Sequence, residues 1–191
     1  MKKSTVGVTI ILIVLLAALV GVYAFLTSKA RTEAAEEIMT PVQTALSRDL
    51  SKDYPPTVKE VIKYYTDLEK CFYNEECTDE EIVELGMKAR GLYDKDLLAI
   101  NDKDVYLLQL KKGITEFKEA KRRIAATAVA ASTNVDFFTE DGYEFARIHC
   151  GYTISENGKS KMEARVYLLR RDEQRHWKIY GWDSANNVNP E

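Results

Sequence analysis

Apolar residues run from Val6 to Leu26 without a charge, and after Thr27 they become spaced and periodic. At about 1.5 Å per residue the first run reaches roughly 30 Å as a helix, the thickness of a bilayer's hydrocarbon core, so it predicts a membrane span. Thr27 to Met39 is rich in Ala, Glu and Arg with no apolar stripe before Ile38, which predicts a helical stalk. Pro41 marks a break or a new first turn, after which Val42, Ala45, Leu46 and Leu50 recur at helical spacing in a helix expected to end near Ser51.

Thr57-Val58-Lys59-Glu60 fits a capping box, and the helix behind it carries Val58, Val61, Ile62, Tyr65, Leu68 and Phe72 on one face. A second box at Thr78-Asp79-Glu80-Glu81 opens a helix with Ile82, Leu85, Ala89 and Leu92 inward. Asn101 and Asp104 look like the start of a third, with Leu107, Leu110, Ile114, Phe117 and Lys121 in its stripe. Asp94 to Asp102 is expected to be a loop, and Lys121-Arg122-Arg123 a solvated helix end.

After Arg123 the period changes to two. Ile124 to Phe138 is β-type and Thr139-Glu140-Asp141-Gly142 is a hairpin turn. Tyr143 to Ser155 follows, with Ala146, Ile148, Cys150, Tyr152 and Ile154 on one face. Glu156-Asn157-Gly158-Lys159 is an Asn-Gly turn, Lys161 to Arg171 a third strand and His176 to Asp183 a fourth. Alternation predicts Trp177 and Ile179 in the core and Lys178 pointing away. The fold class is therefore α+β, with helices packed on one face of a curved four-stranded antiparallel sheet.

The expected organisation is a cytoplasmic head at 1–5, a transmembrane helix at 6–26, a stalk and linker at 27–52, the folded domain at 53–184 and a flexible tail at 185–191. The apolar run is longer than a signal-peptide core, and its one small-residue cleavage pattern, Val22-Tyr23-Ala24, lies inside it, which predicts an uncleaved anchor. Lys2 and Lys3 nearly balance Lys29 and Arg31; the short head and free amino terminus place the N-terminus in the cytoplasm and the domain outside. Net charge of −3 and a pI near 5.6 offer no general attraction to polyanions, so nucleic acid is not an expected partner.

The closing run Leu169-Arg170-Arg171-Asp172-Glu173-Gln174-Arg175-His176-Trp177-Lys178-Ile179-Tyr180-Gly181-Trp182 resembles the final hairpin of the nuclear-transport-factor-like cone fold, shared by the ketosteroid isomerase and SnoaL-like groups. The whole chain, with its single span and its Tyr-Pro-Pro-Thr helix start, is similar to uncharacterised anchored proteins of Gram-positive gut anaerobes. The resemblance implies a cone over Asp53 to Asp183 and no particular activity.

A cone enzyme works between helices and sheet, so polar residues on the strands are the candidates: His149, Arg165, Tyr167 and Tyr180 for a pocket. The blander readings are a half-exposed strand residue for His149 and a cross-strand ion pair for Arg165, with Glu144 or the neighbours of Glu163. His149 and Cys150 are adjacent and point to opposite faces of a regular strand, so they do not share a metal. No zinc or calcium spacing, phosphate loop or nucleophile motif occurs, and neither a cofactor nor a metal is expected. A Cys71–Cys77 disulfide requires the helix to end between them, which Asn74-Glu75-Glu76 and Thr78 supply; an extracytoplasmic location permits it and leaves Cys150 a buried thiol.

Three functions stay open. The first is a membrane-anchored, non-catalytic module binding a protein or small ligand at the cell surface, with homo-oligomerisation open. The others are a structural part of an envelope conjugation or secretion assembly, and a small-molecule isomerase or hydrolase using the cone pocket.

Overall fold

The structure, a computed structural model, describes Val22, Tyr23 and residues 39–185. The chain forms two compact units, Met1–Met39 and Thr40–Glu191. In the first, Val22 and Tyr23 are helical and exposed. The rest of the expected span at 6–26, the stalk at 27–38 and the end of the tail at 186–191 lie outside the described residues. Among the described residues no helix is long and apolar enough to cross a membrane.

The second unit is α+β. Pro41 is the first turn of α1 (Pro41–Ser47), whose N-cap Thr40 exchanges hydrogen bonds with Gln43 in a capping box. The helix stops at Ser47, short of the expected Ser51, and residues Asp49 to Asp53 turn back on themselves with Lys52 and Asp53 N–H groups donating to the Asp49 carbonyl. Val42 and Ala45 of α1 are in the core. Helix α2 (Val58–Asn74) buries every residue of its expected stripe, and Tyr64, Thr66, Glu69 and Cys71 besides. It is buried on two sides because α1 covers its second one: Tyr64 Oη donates to the Ala45 carbonyl at 2.8 Å and Cys71 Sγ to the Pro41 carbonyl at 3.5 Å. Thr57 caps α2 by accepting from the Glu60 N–H, while its hydroxyl donates to the Glu60 carboxylate instead of leaving that carboxylate to the cap backbone.

Helix α3 (Asp79–Gly91) starts with the expected reciprocal box at Thr78 and Glu81, and Leu85, Ala89 and Leu92 are fully buried. The segment expected to be a loop contains a further helix, α4 (Lys95–Ile100), capped by the Asp94 carboxylate. Helix α5 (Lys103–Glu119) is capped by Asp102 instead of Asn101. Helices α3 and α5 approach closely at Gly86, where a Cβ would stand 3.0 Å from Leu107 Cδ2. The basic triplet is not a helix end: Lys121 turns the chain with φ of 53°, and Arg122 and Arg123 begin a strand.

The sheet has five strands instead of the expected four: β1 (Arg122–Val129), β2 (Asp136–Glu140), β3 (Tyr143–Glu156), β4 (Lys159–Arg171) and β5 (Trp177–Ser184). What looked like one strand from Ile124 to Phe138 is broken by a 3-10 turn at Ser132–Asn134, residues whose side chains favour turns. Both pieces pair antiparallel with the same edge of β3, β2 along Tyr143 to Arg147 and β1 along Cys150 to Glu156. The sheet then runs through β4 to β5 and stays open. Both expected turns are two-residue hairpins with positive φ, Asp141-Gly142 and Asn157-Gly158. Trp177 and Ile179 are buried and Lys178 is on the other face, as alternation requires.

Helices cover the face carrying Ala146, Ile148, Cys150, Tyr152, Tyr167, Leu169 and Ile179, all 0 or 1% exposed. Backbone groups of the sheet are held to the helices at two places. The Asn74 side chain at the end of α2 both donates to and accepts from the Ile124 backbone at 2.9 Å, and Leu92 to Asp94 joins the outer edge of β5 through Ile179.

Candidate functional site

On the helix-covered face, register brings three strands onto α2. Cys150 faces Arg165 and Ile148 faces Tyr167 across β3 and β4, and Tyr167 faces Trp182 across β4 and β5. Tyr152, Arg165, Tyr167 and Trp182 therefore share a side, opposite Tyr65 and Glu69, one helical turn apart on α2. The Glu69 carboxylate accepts from Tyr152 Oη at 2.6 Å and from Arg165 Nη1 at 2.8 Å. With the Tyr152 proton committed to Glu69, Tyr167 donates to Tyr152 at 2.6 Å. Arg165 also stacks on Tyr152, its guanidinium carbon 4.5 Å from the ring centroid.

Around this network the space is aromatic. Tyr65 and Tyr93 share a hydrogen bond at 3.1 Å, and the Trp182 ring lies 5.9 to 6.1 Å from those of Tyr65, Tyr93 and Tyr167. Every buried side-chain nitrogen or oxygen among the described residues has a hydrogen-bond partner. Burial pushes the Glu69 carboxyl above its ordinary value, with the Arg165 charge acting in the opposite direction. Burial, then the Glu69 charge, raises the Tyr152 and Tyr167 phenols, which stay protonated and act as donors.

Of the four candidate pocket residues, the structure brings Arg165 and Tyr167 together here. His149 is exposed on the opposite face beside Val166. Tyr180 is on that opposite side too, edge-on to Phe145 at 5.6 Å and stacked on Arg170 at 4.9 Å. Arg165 pairs with the helix residue Glu69 and not across the strands, and the expected partner Glu144 pairs with Arg171 instead. The residue missed in the sequence is Glu69. Its signal was available, because it lies four positions after Tyr65 on the apolar face of α2, where a lone carboxylate needs a partner.

A second buried ion pair joins β4 to the start of α4. Arg170 donates through Nε to the Asp94 carboxylate at 2.9 Å and through Nη2 to its other oxygen, while Nη1 reaches Asp96 at 2.8 Å. The rings of Tyr143 and Tyr180 each stand 4.9 Å from that guanidinium. Beside it a groove of about 440 Å³ is bounded by the α3–α4 connection and the β4–β5 turn. A smaller recess of about 310 Å³ lies by Arg165, Met162 and Trp182.

Cys71, Cys77 and Cys150 are free thiols. The chain leaves α2 between Cys71 and Cys77, and Cys77 Sγ donates to the Cys71 carbonyl at 3.5 Å. Burial raises the Cys71 thiol to about 12 and that of Cys150 to about 11. Among the described residues no group of three or more His, Cys, Asp or Glu side chains could hold a metal ion.

Residues 1–182 match the family described as Domain of unknown function (DUF6715). The chain belongs to this family. No curated protein matches it. The DUF6715 match runs through both compact units, so the polar network and the groove belong to the family's own segment.

Proposed function

We propose that this DUF6715 protein is a membrane-anchored, extracytoplasmic binding module with a nuclear-transport-factor-like cone, held by residues 6–26 and acting by contact without chemistry. The observation that carries the reading is the engaged state of Glu69. Both of its oxygens are bound, one by Arg165 and one by Tyr152, and the surrounding space is taken by the protein's own tyrosines and Trp182. A general base must instead reach a substrate proton at about 2.6–3.2 Å. The α+β architecture, and the placement of Trp177 and Ile179 against the helices, support the cone. The long uncharged run at the N-terminus supports the anchor. Tethering confines the domain to a surface, where contacts of modest affinity gain from high effective concentration.

The isomerase or hydrolase reading has one observation in its favour, an inward carboxylate raised above its ordinary value beside two phenols. It requires Arg165 to leave Glu69, which would strand a buried charge.

Protease added to intact cells should degrade the domain while an N-terminal tag stays protected, and a surface crosslinker should recover a protein or envelope neighbour. Full protection of the domain would reverse the orientation. A surface-exposed domain that crosslinks to nothing would remove the binding reading.

A further inference from the structure

The outer edges of the sheet differ in what meets them. At β5 the edge is occupied at Ile179, whose carbonyl accepts from the Asp94 N–H and whose N–H donates to the Leu92 carbonyl, both at 2.8 Å. On the opposite side, β2 is five residues long and carries Asp136 and Glu140 at its ends, the short and charged form in which edges resist a further strand. The stretch of β1 from Ala125 through Ala131 has neither protection, since it holds no charged residue and no proline.

That edge presents unpaired backbone groups. The Ala130 N–H donates to the His149 carbonyl at 2.9 Å, so Ala130, Ala128 and Ala126 turn their backbone groups towards β3, and alternation turns those of Thr127 and Val129 outward. Among the described residues no strand pairs with this side of β1, and no hydrogen bond reaches the outward groups of Thr127 and Val129. The open stretch is bounded at both ends. Asn74 occupies the Ile124 backbone, a bulge between Ile124 and Ala126 shifts the register before Thr127, and the Ala131 carbonyl accepts from the Asn134 N–H of the 3-10 turn.

A row of outward N–H and C=O groups at strand spacing is matched by another extended backbone. With Thr127 and Val129 as the free residues, the edge is its own complement. Turned antiparallel about Ala128, Thr127 of one copy meets Val129 of the other and Val129 meets Thr127, so both outward residues of both copies are satisfied together. Each of these pairs joins two β-branched residues, and Ala128 faces Ala128. Arg122 and Arg123 fall outside the paired stretch, so no like charges meet. A foreign strand would have to fit the same bounded window, which the chain itself already does.

From these features we infer that the outer edge of β1 pairs antiparallel with the same edge of a second copy of this chain, centred on Ala128. This rests on the binding-module reading and makes the partner a second copy. A contact of so few hydrogen bonds is small, so it depends on the anchor, which holds copies in one plane at high effective concentration.

The test is disulfide trapping of the full chain in phosphatidylcholine vesicles, with copper phenanthroline as oxidant and a non-reducing gel as readout. Ala128 is exposed, and in the paired copies its Cα atoms would stand about 4.5 Å apart, within the roughly 4.4–6.8 Å that a disulfide spans. Ala128→Cys should be trapped as a dimer, and Ala126→Cys, which would face Ala130, should stay at the wild-type background. Thr127→Pro removes an outward N–H without touching the β3 ladder, and adding it to Ala128→Cys should lose the dimer with circular dichroism intact. Absence of the Ala128→Cys dimer, equal trapping at 126 and 128, or a dimer unchanged by Thr127→Pro overturns the inference. Should Thr127→Pro unfold the domain, the comparison of 126 with 128 decides alone. Trapping of Ala128→Cys in cells to a different protein and not to its copy overturns the inference and leaves the binding module standing. Loss of the dimer together with loss of all surface crosslinking removes the module as well.

Discussion

Tyr152 on β3 donates its hydroxyl to the Glu69 carboxylate on α2 across 2.6 Å, and that bond ties the sheet to its central helix inside the core. Its partner on the other carboxylate oxygen, Arg165, is one-third exposed, so the network runs from the interior to the lip of the sheet. Tyr152→Phe keeps the ring and removes the donor. It should destabilise the domain by about 1–3 kcal/mol in urea unfolding, the cost of a buried acceptor losing a partner. A loss under about 0.5 kcal/mol would show that the bond is incidental to packing.

The same carboxylate sets a pH dependence. Its folded value is raised above the ordinary 4.5, so the native state holds the proton more tightly than the unfolded chain. Its favourable contribution is complete below 4.5 and is lost as pH rises through the folded value. Glu69→Gln removes this titration. The stability difference between variant and wild type should therefore move in the variant's favour as pH rises from mild acid towards neutrality. A difference that stays flat over that window, or moves the other way, would show that the Arg165 charge outweighs burial.

Arg170 and Asp94 are both nearly inaccessible, at 7% and 3% side-chain exposure. Arg170→Met would leave the Asp94 carboxylate without its guanidinium while Asp94 still caps α4. The expected loss is about 3–5 kcal/mol, and Arg170→Met combined with Asp94→Asn should recover part of it. Equal losses in the single and double variants would show that the arginine acts through its stem packing alone.

Trp177→Ala should cost about 3–5 kcal/mol, because the residue is 7% exposed. A change below about 1 kcal/mol would contradict the face assigned to it. That face was legible from the sequence because a strand's period of two leaves no intermediate register, and the Asn157-Gly158 hairpin fixes where β4 begins. The N-cap at Thr57 and the capping box at Thr78 likewise set the starts of α2 and α3. Helix α4 was not legible, since six residues give no measurable periodicity and the capping role of Asp94 is shared with its bond to Arg170. The network around Glu69 was hidden for a different reason: Tyr152 and Arg165 are 83 and 96 residues away, and only the β3–β4 register brings them inward. His149 attracted attention by residue type, but alternation with the buried Cys150 places it outside.

The thiols offer a check on packing. Cys71 is 3% exposed and Cys150 is inaccessible, and both are raised well above an ordinary thiol. Iodoacetamide at neutral pH should spare both in the folded chain and reach all three cysteines after denaturation without reductant. Two fewer modified residues after denaturation would show a Cys71–Cys77 bridge in place of the free thiols.

The measurement that bears most directly on contact without chemistry is turnover. The full chain, with its fold verified by circular dichroism, should give no conversion above background with a panel of small carbonyl, ester and epoxide substrates. Conversion by the wild-type chain that disappears in Glu69→Gln with the fold intact would contradict the account and assign Glu69 to catalysis.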